Sequence, residues 1–206
     1  MTTHTLSVLV ENKPGVLAHV AALFSRRAFN ISSLSVGPTT DARVSRMTIV
    51  VDGASTPVDQ VHKQLEKLVR VLKVEELYEE AAVERELALI KVRVNPALRA
   101  ELLDIAAAFR ANVVDLGPHT LVLEAVCSPG RLDALLAQLE AHGTCELVRT
   151  GLIAIGRGSQ TITDDMKDLA LQGCGFSSVK REESRRGLKE IAYRRARHDG
   201  DGVLRR

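Results

Sequence analysis

The sequence predicts an α+β chain in which the order β-α-β-β-α-β is built twice. Three observations predict it. Four prolines (Pro14, Pro57, Pro96 and Pro129) each stand just ahead of an apolar pattern of helical period. Two Gly-Pro pairs, Gly37-Pro38 and Gly117-Pro118, each close a strand-like run. These marks recur in the same order in both halves, as an internal duplication would leave them. Proline suits a first helical turn, where its missing N–H has no partner to lose. The order is that of the ferredoxin-like split βαβ, an antiparallel four-stranded sheet with two helices on one face.

Each element follows from local pattern. Thr5–Val10 reads as the first strand. Asn12, two residues before Pro14, is placed to cap a helix whose stripe is Val16, Leu17, Val20 and Phe24. Asn30–Val36 and Arg46–Val51 are the next strands, the latter alternating through Met47, Ile49 and Val51. Thr56-Pro-Val-Asp59 is a capping-box variant ahead of Val58, Val61, Leu65 and Leu68, and Val71–Leu77 closes the first half. After a break near Glu79–Glu84 the pattern repeats. Glu86–Val94 is a strand, and Asn95 caps a helix carrying Leu98, Leu102, Ile105 and Phe109. Asn112–Leu116 and Thr120–Val126 are strands, and Ser128 caps the helix of Leu132, Leu135, Leu136 and Leu139. Cys145–Ile155 reads as one final strand. Each half is only about 75 residues, where core burial alone gives marginal stability. An uncovered sheet face or edge then invites pairing, so at least a dimer is expected.

Composition excludes several classes. The chain has 206 residues, 45% apolar, so wholesale disorder is excluded. No run approaches the roughly 18 apolar residues of a membrane helix, and Met1–Lys13 lacks the form of a signal peptide; a cytoplasmic location is expected. Cys127, Cys145 and Cys174 are an odd set without C-x-x-C, which indicates neither a disulfide framework nor a zinc site. The formal charge of +2 conceals a split. Residues 167–206 hold 11 basic and 6 acidic residues, whereas residues 1–166 hold 17 basic and 20 acidic.

No catalytic constellation is legible. The six histidines are scattered, none with the helical Glu-containing pairing of a zinc hydrolase. Gly156-Arg-Gly158 fails the dinucleotide fingerprint because Thr161 stands where the third glycine belongs. No nucleophile elbow and no phosphate-binding lysine loop occurs. Catalytic and metal-binding residues are accordingly expected to be none.

One loop does carry chemistry. Glu11-Asn12-Lys13-Pro14-Gly15-Val16-Leu17 joins the first strand to the first helix. Helix-start amides and the helix dipole suit a small carboxylate, Gly15 permits close approach, and Asn12 offers both donor and acceptors. Asn30 opens the second strand, which the topology lays beside the same helix. The same residues also read as a plain cap and turn, and the loop by itself leaves both readings open.

These residues resemble a known family. Glu11–Leu17, Leu23-Phe24-Ser25-Arg26-Arg27-Ala28-Phe29-Asn30-Ile31 and Ser45-Arg46-Met47-Thr48 are similar to the small, regulatory subunit of acetolactate synthase (acetohydroxyacid synthase). So are Gln64–Leu68, Val83-Glu84-Arg85-Glu86-Leu87, and Gly156-Arg-Gly158 with Ile162-Thr163-Asp164. The resemblance covers about residues 4–165. It implies an ACT domain at 1–79 for effector binding and dimerisation, a linker at 80–83, and a second ferredoxin-like domain at 84–165. It implies no active site and no cofactor on this chain. The partner is the large catalytic subunit, which carries thiamine diphosphate, magnesium and FAD and which this subunit activates. Valine would confer feedback inhibition by binding between two ACT domains of a homodimer. Carried over by position, Asn12, Gly15, Val16, Leu17, Asn30 and Ile31 would hold it, with Ala18 and Gly37 nearby.

Two departures stand out. The family usually has glycine where this chain has Ala28, and related chains end soon after Asp165. Residues 166–206 are read as a basic, solvated and disordered tail; a docking arm is the alternative, and nucleic acid is disfavoured because only Tyr193 is placed for base stacking. A stand-alone amino-acid sensor acting on another partner is the competing function, separable by co-purification with the catalytic subunit.

Overall fold

The computed structural model describes residues 3–53 and 57–163. Thr56, Cys174 and the 166–206 tail lie outside them. Residues 1–160 form one compact unit.

The first half forms strands β1 (Thr3–Glu11), β2 (Ile31–Pro38), β3 (Val44–Asp52) and β4 (Val71–Leu77), with helices α1 (Val16–Arg26) and α2 (Val58–Glu66). Its sheet has the order β2-β3-β1-β4, with each neighbouring pair antiparallel. Alternation sorts the side chains. Leu6, Val8 and Val10 of β1 and Met47, Ile49 and Val51 of β3 bury one face under Val16, Val20, Leu23 and Phe24 of α1 and Val61 and Leu65 of α2. Burying a single leucine of this kind contributes about 1.5–3 kcal/mol. Leu17, expected in the buried stripe of α1, is instead 45% exposed, because it sits at the helix start on the flank of that stripe.

Helix α1 ends in a left-handed cap. Ala28 has φ 53; its N–H donates to Ser25 O, and Phe29 N–H donates back to Phe24 O at 3.0 Å. The Phe24 and Phe29 rings meet edge to face, 6.1 Å between centroids, which completes a Schellman motif with its hydrophobic contact.

The second half repeats the plan. It has β5 (Ala82–Arg93), α3 (Arg99–Phe109), β6 (Asn112–Leu116), β7 (Thr120–Cys127), α4 (Pro129–Glu140) and β8 (Thr144–Arg149). A 3-10 turn, Pro96–Leu98, precedes α3, and Asn95 caps it by accepting from Ala97 N–H. Strand order is β6-β7-β5-β8. The core joins Ala88, Ile90 and Val92 of β5 and Leu121, Leu123 and Ala125 of β7 to Leu102 of α3 and Leu132, Leu135 and Leu139 of α4. The cap repeats as well: Arg110 has φ 57, and Ala111 N–H returns to Ala106 O at 2.8 Å.

The last strand expected over Cys145–Ile155 is two strands. β8 ends at Arg149 and β9 (Ile153–Gly156) begins after a turn at Thr150–Leu152. Gly151 at φ 78 makes the break, since a left-handed residue cannot continue a strand. β9 then pairs with Ala82–Arg85, the first residues of β5. Ala154 of β9 is buried with Leu77 and Ala82, which ties the two sheets together.

Candidate functional site

The loop from β1 to α1 is held open by specific bonds. Asn12 is not a helix cap. Its Nδ2 donates to Ala42 O at 2.8 Å and its backbone N–H to Arg43 O at 2.7 Å, so it pins the β2–β3 turn beside the loop. Pro14 precedes the helix rather than joining its first turn, and Gly15 is the N-cap, with φ 83 and ψ −6. Only glycine takes that conformation without strain. A Cβ on Gly15 would meet nothing within 4 Å, so the space in front of it is free. The first carbonyl taken within the helix is that of Gly15, by His19 N–H at 3.0 Å; the amides of Leu17 and Ala18 therefore precede the ladder and face outward. Around the loop, Lys13 pairs with Glu11 at 3.0 Å, and Arg70 Nη1 donates to Pro14 O at 3.0 Å. Arg43 bonded to Asp41 holds that carboxyl down at about 2. The result is a set of outward N–H groups beside mixed charge, suited to the carboxylate of a small zwitterion.

Asn30 and Ile31 are elsewhere. They follow the C-terminal end of α1, whose eleven residues span about 16 Å. Within one chain the structure groups Asn12, Gly15, Val16 and Leu17 at one end of the sheet and Asn30 and Ile31 at the other. Asn30 does not share the helix start with Asn12, because β1 and β2 both pair antiparallel with β3 and so run parallel to one another. β2 is also an edge strand, with Val36 44% exposed.

Among the described residues, no group of three or more His, Cys, Asp or Glu is placed to hold a metal ion. Burial pushes the Cys127 thiol up, the opposite of what a nucleophile needs. No helix among the described residues is long and apolar enough to cross a membrane.

A larger feature was not legible in sequence. An open cleft of about 1070 Å³ lies where the two sheets meet, lined by His4, Ser33, Glu76, Glu84, Glu86 and Arg149 among others. None of the six expected effector residues lines it. Its partners are mutually satisfied: His4 Nδ1 lies 2.7 Å from Glu76 Oε1, and Arg149 grips the buried Glu86 through Nε at 2.8 Å and Nη2 at 2.6 Å. Arg149 Nη1 also bonds Asp133 of α4 at 3.0 Å, and these carboxylates hold its guanidinium firmly charged. The one trace of this junction in the sequence is Gly151, a glycine breaking an otherwise strand-like run.

Comparison with known proteins agrees with the duplicated architecture. Residues 6–73 match the model of the acetolactate synthase small-subunit-like ACT domain, and residues 85–158 match that of the small subunit of acetolactate synthase. The chain is 52% identical over 160 residues to the acetolactate synthase small subunit of Mycobacterium bovis, covering 78% of this chain and 95% of that one. It is 47% identical over 157 residues to the probable acetolactate synthase small subunit of Archaeoglobus fulgidus, covering 76% of this chain and 98% of that one. The crystal structure of the acetolactate synthase small subunit from Thermotoga maritima superposes with a TM-score of 0.72 at 37% identity, over 78% of this chain and all of that one. With both halves matched in order and the same fold found in a solved relative, the chain belongs to the acetolactate synthase small-subunit family.

Proposed function

We propose that this chain is the regulatory subunit that activates the acetolactate synthase catalytic subunit and makes it sensitive to valine. Family membership supports the regulatory role. The observation that carries the effector reading is the separation of the loop residues from Asn30 across a sheet in which β2 is an edge strand, paired on one side only. Antiparallel pairing of β2 with its copy about a two-fold axis sets Asn30 and Ile31 of one protomer beside Asn12 and Gly15 of its partner. A symmetric dimer then holds two equivalent sites. Valine would place its carboxylate on the outward amides of Leu17 and Ala18, and its ammonium on asparagine oxygens. The catalytic chemistry, with thiamine diphosphate, magnesium and FAD, belongs to the large subunit, and this chain works with it in the cytoplasm.

Valine acts by favouring one packing of the ACT dimer over another, since a ligand shifts an equilibrium only by its differential affinity for the two states. Reconstitution tests the reading. Adding this chain should raise the catalytic subunit's rate and make that rate fall with valine. A rate unchanged by the chain, or one that valine leaves alone, would contradict it.

A further inference from the structure

We infer that the effector signal leaves the ACT sheet at Ser33 and enters the second sheet through the Gly151 turn; this rests on the valine-binding reading above. Ser33 is on β2, three residues beyond Asn30. The register of β2 against β3 shifts between Ile31 and Ser33, so an irregular step links the effector end of the strand to Ser33. The ladder is locally disrupted at such a step, so Ile31–Ser33 is held less firmly to β3 than the rest of β2 and can follow a ligand bound at Asn30.

At Ser33 the second half is in direct contact. Ser33 Oγ accepts the Leu152 N–H at 2.9 Å. A Cβ on Gly151 would stand 2.5 Å from Ser33 Oγ, and 3.7 Å from both the N and the O of Leu34. The turn therefore lies against β2, and a methyl group at Gly151 would collide with the Ser33 hydroxyl that bonds Leu152. Gly151 also holds φ 78, a conformation that strains any residue but glycine.

Behind the turn, the second sheet is gripped at adjacent residues. Thr150 N–H donates to Leu87 O at 3.0 Å, and Thr150 Oγ1 accepts Leu87 N–H at 3.1 Å. Arg149 binds Glu86 of β5 through two bonds and reaches Asp133 of α4. Leu152 itself is buried. A shift of Ser33 cannot be taken up at the turn and is delivered to β5 and α4. The contact is a coupling element, distinct from the residues that hold the ligand.

The test separates binding from transmission. Ser33→Ala removes the acceptor for Leu152 N–H and leaves Asn12, Gly15 and Asn30 unchanged. In the reconstituted holoenzyme, saturating valine should then remove less than half the activity that it removes with the wild-type subunit. Valine affinity of the isolated subunit, by calorimetry, should stay within about threefold, and activation without valine should be retained. Gly151→Ala should do the same more strongly; should it fail to fold, Ser33→Ala still decides. Wild-type maximal inhibition in Ser33→Ala overturns the coupling, and so does a loss of inhibition that merely tracks lost affinity. A wild-type subunit that binds no valine at all contradicts the functional reading itself and removes the coupling with it.

Discussion

Asn12 and Asn30 stand at opposite ends of one sheet. Asn12 follows the residue paired with Val44, and Asn30 precedes the residue paired with Val51; those pairs alone are about 23 Å apart along β3 at ~3.3 Å per residue, and the asparagines lie beyond them on either side. No small amino acid bridges that distance. If both asparagines touch one ligand, they come from different chains, and β2, the edge strand between them and solvent, is where the chains meet.

Replacing either asparagine by alanine should weaken valine binding at least tenfold, with activation retained. Their effects on stability should differ. Asn12→Ala also loses the bond to Ala42 O and should cost about 0.5–1 kcal/mol, whereas the exposed Asn30 should cost almost nothing. Calorimetric titration and thermal melts on the same samples measure both.

Ala28 is alanine at φ 53, in the cap that ends α1. A left-handed conformation costs a non-glycine residue roughly 1–2 kcal/mol, partly offset by glycine's larger entropy loss on folding. Ala28→Gly should therefore stabilise the chain by about 0.5–1 kcal/mol, seen as a rise in Tm of about 1–4 °C. Arg110→Gly, at the equivalent cap of α3, should behave alike.

Glu86 keeps only 7% of its side chain exposed and relies on Arg149. Arg149→Ala leaves that charge buried without its partner. Arg149 is itself 33% exposed, so the loss should be about 2–3 kcal/mol, below the ~3–5 of a fully buried pair. Glu86→Leu together with Arg149→Met should recover most of it. Urea denaturation of the wild type and the two variants is the check.

Asp41 titrates at about 2 rather than 3.8 because Arg43 bonds its carboxylate in the folded chain. A depressed folded pKa contributes stability that is fully present above the unfolded value and is lost as pH falls through about 2. Carboxyl chemical shifts should show a midpoint near 2, and Arg43→Ala should return it toward 3.8. The loss should stay small, because the pair is exposed.

Much of the fold is legible in the sequence. Prolines at helix starts and Gly-Pro at strand ends announced both βαββαβ repeats, because their backbone limits act locally. What the sequence obscured was non-local. Asn12 has cap chemistry, yet its amide is used by Ala42 on a different loop, and the lone Gly151 in a strand-like run does not by itself say that β9 turns to pair with the first residues of β5. Asn30 is a candidate binding residue by resemblance alone, and its distance from Asn12 follows only from strand direction. The Ser33–Gly151 contact joins residues over a hundred positions apart, and no local pattern encodes that meeting.

Valine titration of a mixed dimer tests the two-chain site most directly. One protomer carries Asn12→Ala and the other Asn30→Ala, purified as the heterodimer with two tags. If each site takes its loop from one chain and its strand from the other, one site is doubly altered and the other is intact. Calorimetry should then find half a valine per chain at wild-type affinity, while both homodimeric variants bind weakly. A mixed dimer no better than the homodimers would contradict the account.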